Sequence, residues 1–177
     1  RQRAMKAELD RVASSHRGGF RVLTVIGRPA RWPELTAERI AGVLDAVRSW
    51  AGVTIVDVAA SLEADEELMS DVAAPRRNAA TVEVLRRADR VVAVGAADPV
   101  GLARFLRGHA DLLEHTNPDR VTVVVNKVRS GAIGLDPVGQ VRSTLERFGG
   151  LTPAYLVPWD PPAFDAALLS GRSLAEA

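Results

Sequence analysis

Residues 90–125 read RVVAVGAADPVGLARFLRGHADLLEHTNPDRVTVVV. Two short β-branched runs, Arg90 to Val94 and Val121 to Val125, bracket a segment with a different rhythm. Across 99–115, Leu102, Phe105, Leu106 and Leu112 recur at the spacing of one helix face, and Pro99 is tolerated in a first helical turn. The flanking runs are apolar almost without interruption rather than alternating. That predicts strands covered on both faces, as in a parallel sheet between helix layers.

The same alternation extends outward in both directions. Val22 to Ile26, Val53 to Val58 and Ala154 to Val157 are further apolar runs and predict three more strands. Between them, 36–49 carries Ile40, Val43, Leu44 and Val47 at helical spacing, with Thr36 as N-cap. Residues 78–88 place Val82, Val84 and Leu85 after a turn at Asn78 to Thr81. Residues 137–148 carry Val138, Val141, Leu145 and Phe148 and stop at Gly149-Gly150. A first helix is expected over Ala4 to Ser14. The fold class is α/β: a doubly wound, mainly parallel sheet with helices on both faces, in one domain over 1–177. Ser61 to Asn78 breaks the rhythm, reading as a long functional loop or as a solvated acidic helix, Glu63 to Met69, with a turn at Pro75.

Composition narrows the function classes. The 23 basic and 22 acidic side chains nearly cancel, so no overall field points to nucleic acid or anionic lipid. The chain has no cysteine, which removes disulfides and thiolate metal sites, and no apolar run long enough to span a bilayer. The expected compartment is the cytoplasm. Lys6 and Lys127 are the only lysines, against 21 arginines, a bias that codon usage in a GC-rich genome explains without any function. Beginning at Arg1 with no signal pattern, the sequence is expected to be a segment of a longer protein.

Three features sit where an open α/β sheet places its ligand crevice, at the carboxyl ends of strands. Asp57 closes the run Val53 to Val58 and could hold Mg²⁺ directly or through water. Asn126-Lys127 follows Val121 to Val125, and the Asn126 amide offers both a donor and an acceptor to a purine edge. Pro158-Trp159-Asp160-Pro161 follows the last run as a rigid turn, with Trp159 available for stacking. Taken singly, each also fits an ordinary turn or cap.

In this order, and with the surrounding RVLTVIGRPARWPEL (21–35), VTIVDVAASLEADEELMSDVAAPRRNAAT (53–81), VGAADPVGLARFLRG (94–108), VVVNKVR (123–129) and VPWDPPAFDAALLSGRSLAEA (157–177), the chain resembles the C-terminal two-thirds of the MinD/ParA/CpaE family of deviant P-loop ATPases. The resemblance implies a truncated P-loop NTPase-like fold. It makes Asp57 the Walker-B-type catalytic and Mg²⁺-associated aspartate, Asn126 with Lys127 the adenine-reading pair, and Pro158, Trp159, Asp160 and Pro161 the loop beside the base. ATP and Mg²⁺ are the implied cofactors of the intact protein, which would act in cell division, chromosome or plasmid partitioning, or pilus placement; neither is expected to bind tightly to this chain alone.

The chain departs from the family at Val58-Ala59-Ala60, where prolines or glycines are common, and in lacking any G-x-x-x-x-G-K-[ST] or lysine-first variant. Without that backbone nest and its lysine, this chain alone is not expected to hydrolyse ATP. The family order would set the missing strand between those of Asp57 and Val91 to Val94. That leaves open edges to pair with each other, with a second copy as a homodimer, or with the missing segment. The competing reading is an interaction or scaffold module that keeps the fold without nucleotide chemistry and binds a protein partner. His16, His109 and His115 lack metal-ligand spacing, and no Gly-x-Ser-x-Gly elbow is present.

Overall fold

The computed structural model describes residues 2–16, 18–24, 26, 29–62, 78–174 and 176. They fall into two compact units, Arg1–Arg87 and Ala88–Ala177.

The first unit is mostly helical. Helix α1 spans Gln2–Val12; strands β1 (Ser14–Ser15) and β2 (Arg21–Val22) form a short antiparallel pair; a 3₁₀ segment covers Pro29–Glu34; α2 spans Ala37–Arg48 and α3 Ala79–Arg87. Thr36 caps α2 as expected, its hydroxyl accepting from the Arg39 N–H at 3.3 Å. Ile40 and Val47 on α2, and Val84 and Leu85 on α3, are buried. The two helices pack and are tied by Arg87, which donates to Asp45 at 2.9 Å while its carbonyl accepts from Arg48 at 2.8 Å. Helix α3 starts earlier than the expected turn region allows, so Thr81 is a buried helical residue.

Two expected strands do not form in this unit. Among the described residues of Val22 to Ile26, only Val22 enters a ladder, and its partner is antiparallel. Val53 to Val58 has no strand structure, and Ile55 is 92% exposed. A β-branched run becomes a strand only by pairing, and among the described residues this one has no ladder partner. The acidic helix expected over Glu63 to Met69 lies outside the described residues.

The second unit carries the sheet. Strand β3 (Val91–Ala96), helix α4 (Pro99–Leu113), strand β4 (Val121–Val128), a single helical turn α5 (Ser130–Ile133), helix α6 (Pro137–Gly149), strand β5 (Tyr155–Pro158) and helix α7 (Pro161–Ser170) follow in order. The sheet order is β3-β4-β5, all parallel. Gly150, at φ 64°, closes α6 in the left-handed conformation that a side chain would resist.

Both crossovers step in the same direction across the sheet. Because such connections are right-handed, α4 and α6 must lie on the same face. That face is the core: Ala97, Leu102, Val123, Val125, Val128, Val141 and Leu145 form one buried cluster, with Phe105, Leu106 and Leu156 packed against it. The opposite face is bare among the described residues. Val92 and Val94 are 61% and 59% exposed, Tyr155 is 66% exposed, and Val94, Val124 and Tyr155 line up across the three strands. The expectation of helices on both faces is therefore met on one face only. β3 also keeps a free edge among the described residues.

This asymmetry predicts unequal costs of truncation. Leu145→Ala, at a fully buried position, should destabilise the second unit by about 2–5 kcal/mol. Val92→Ala, on the bare face, should cost less than about 0.5 kcal/mol. Denaturant unfolding followed by far-UV circular dichroism measures both, and equal losses would mean that the second face is packed.

Candidate functional site

The carboxyl end of the three-stranded sheet is built from the turns that leave β3, β4 and β5. Register fixes their relation: Ala96 pairs with Asn126, and the Ala97 N–H donates to the Asn126 carbonyl at 2.8 Å. Next to them, Val125 pairs with Leu156 but Val128 pairs with Pro158. Strand β4 thus spends one residue more than β5 over the same span, which is a β-bulge at Asn126-Lys127. The expectation that the strand ends at Val125 is corrected, since β4 continues through the bulge to Val128.

The bulge has a strained centre. Lys127 sits at φ 63°, the one non-glycine residue at positive φ among those described, where a Cβ costs roughly 1 kcal/mol or more. The Asn126 side chain steadies it, its Oδ1 accepting from the Lys127 N–H at 2.7 Å. One lone pair of that amide oxygen is thereby used within the chain; the other, and the two amide N–H donors, remain for a ligand.

The β5 turn locks onto this bulge. The Trp159 N–H donates to the Val128 carbonyl at 3.0 Å, which puts the Pro158-Trp159-Asp160-Pro161 turn beside Asn126-Lys127. Lys127 Nζ and the Arg129 guanidinium each lie 5.3 Å from the Trp159 ring centre, within cation–π range. Asn126, Lys127, Pro158, Trp159, Asp160 and Pro161 are therefore brought together as anticipated. Arg129 joins them from just beyond the end of β4.

Asp160 has a different occupation from the one anticipated. Its Oδ1 accepts from the Ala163 N–H at 3.2 Å and caps α7. Asp98 does the same for α4 through the Gly101 N–H at 2.8 Å, and Asp136 for α6 through the Gly139 N–H at 2.9 Å. Each is followed by proline at the first helical position, where the missing N–H goes unmissed. The three helix N-termini at this edge, the usual seats for phosphate, already hold a carboxylate each.

Asp57 lies in the first unit, exposed, on the extended run that forms no strand. Mg²⁺ is commonly held by one or two carboxylates together with substrate phosphates. Asp57 alone does not make such a site, and among the described residues no group of three or more histidine, aspartate or glutamate side chains could hold a metal ion. The residues present fit the base end of a nucleotide and do not fit its triphosphate. A separate apolar groove of about 610 Å³ between α4, α5 and α6, lined by Leu102, Leu106, Ile133 and Phe148, contains none of the turn residues. Among the described residues no helix is long and apolar enough to cross a membrane.

Relief of the strained φ gives a direct test of the bulge. Lys127→Gly should raise stability by about 0.5–1 kcal/mol, since glycine adopts this conformation without penalty. Chemical denaturation measures it, and a loss of stability would show that the Lys127 side chain holds the turn together.

Compared with known proteins, the chain matches no protein-family model, no curated protein and no solved structure.

Proposed function

We propose that this chain is the C-terminal part of a MinD/ParA-like, ATP-dependent switch with a truncated P-loop NTPase-like fold, and that it supplies the base end of the nucleotide site. The observation that carries this reading is the Asn126-Lys127 bulge locked against the Trp159 turn by the hydrogen bond to Val128. It sets a side-chain amide and an aromatic-lined turn together at the carboxyl edge of a parallel sheet, the place where α/β folds of this kind take their ligands. Asn126 would hold the purine edge, with Pro158 to Pro161 as a wall of the pocket. Asp57 would serve Mg²⁺ and the reacting phosphate only with a phosphate cradle supplied from outside this chain. The intact protein would work in the cytoplasm as a homodimer, in cell division, chromosome or plasmid partitioning, or pilus placement.

A second reading, an interaction module on the same fold, is favoured by two observations. The helix N-termini at the ligand edge are closed by their own aspartates, and one apolar sheet face stands open. A protein partner would then take the place of nucleotide chemistry.

Two measurements test the first reading, and the second of them separates it from the interaction module. Phosphate release from Mg²⁺ and ATP should match the buffer blank for this chain, because nothing in it cradles a triphosphate; turnover abolished by Asp57→Ala would refute that. In the intact protein, Asn126→Ala should weaken ATP binding by about 1–3 kcal/mol, the cost of an unmet polar group. Unchanged affinity by calorimetric titration would return Asn126 to a purely structural role and favour the interaction module.

A further inference from the structure

We infer that Lys127, Arg129 and Trp159 form a seat for a single phosphate attached to a planar ring, so that the ligand class suited to this chain is a nucleoside monophosphate rather than a triphosphate. The inference rests on the base-end reading above and adds to it where the ligand's charge goes.

Charge at this edge is partitioned in an unusual way. Asp98, Asp136 and Asp160 each face the N-terminus of their own helix. An anion approaching any of the three amide ends would meet a carboxylate first. The side-chain cations of Lys127 and Arg129, both exposed, have no ion-pair or hydrogen-bond partner among the described residues, and both lie against the same indole. Two like charges beside one ring repel each other, and the ring offsets only part of that repulsion. An anion between them would remove it.

The backbone supports the same assignment. Lys127 is held at φ 63° by the bulge, with its side chain exposed at the surface. Non-glycine residues at positive φ recur at functional turns. Two cations suffice for one phosphate group, whereas a triphosphate calls for a nest of backbone N–H groups and, in enzymes, a metal ion. Trp159, 40% exposed, leaves part of its ring for the planar portion of the ligand.

The test titrates the chain with AMP, adenosine and inorganic phosphate by calorimetry and by the indole N–H resonance of Trp159. AMP should bind roughly tenfold tighter than either other ligand, the increment expected of charged hydrogen bonds. Lys127→Gly, which suits the backbone at that position, and Arg129→Gln should each remove most of that increment, so that AMP then binds little tighter than adenosine. Arg142→Gln, on the exposed side of α6, should change nothing. Equal affinity for AMP and adenosine would overturn the phosphate seat and leave the base-end reading standing. Inorganic phosphate binding as tightly as AMP would overturn it too, by reducing the site to an adventitious anion patch. No binding of adenosine or AMP would overturn both the seat and the base-end reading.

Discussion

Strand β4 is the constraint on which the second unit depends. It is the only strand there paired on both sides among the described residues, and its inward residues Val123 and Val125 meet α4 and α6 in the core, with Val125 fully buried. Its carbonyls fix the neighbouring chain at two heights: Val123 accepts from the Ala154 N–H at 2.9 Å, and Val128 from the Trp159 N–H at 3.0 Å. Between the Val125–Leu156 pair and the Val128–Pro158 pair, β4 contains one residue more than β5. The surplus is expelled at Asn126-Lys127, so the same pairing that builds the core also creates the bulge at the ligand edge.

That edge is organised by charge as much as by shape. Three Asp-Pro pairs start three helices, and each carboxylate answers the partial positive charge of its own helix end. Capping of this kind stabilises each helix by about 1 kcal/mol, and it closes the positions where phosphate usually sits in α/β proteins. What remains open is an amide, a half-exposed indole and two cations.

Much of this was legible in the sequence. Helices α2, α4 and α6 follow from apolar spacing and from Thr36, Pro99 and Gly150, because helix signals are local. The three strands of the second unit were also legible as apolar runs. Val53 to Val58 has an equally good strand composition and is not a strand, because a ladder needs a partner that local pattern cannot specify. The bare sheet face was hidden for a related reason: uninterrupted apolar character signals that both faces could be covered, not that both are. The bulge left no mark, since a polar pair after an apolar run reads as the end of a strand. The aspartate caps were readable as Asp followed by Pro at three helix starts, and the resemblance drew Asp160 toward the ligand instead.

On the proposed reading, ligands meet this edge at the bulge and the Trp159 turn and leave the capped helix ends alone. An amide-resolved NMR titration of the chain with adenine nucleotides should then shift Asn126 to Arg129 and Trp159, with the amides of Gly101, Gly139 and Ala163 unmoved because their aspartates keep them. Shifts concentrated at those three capped amides, with none at Asn126 or Trp159, would contradict it.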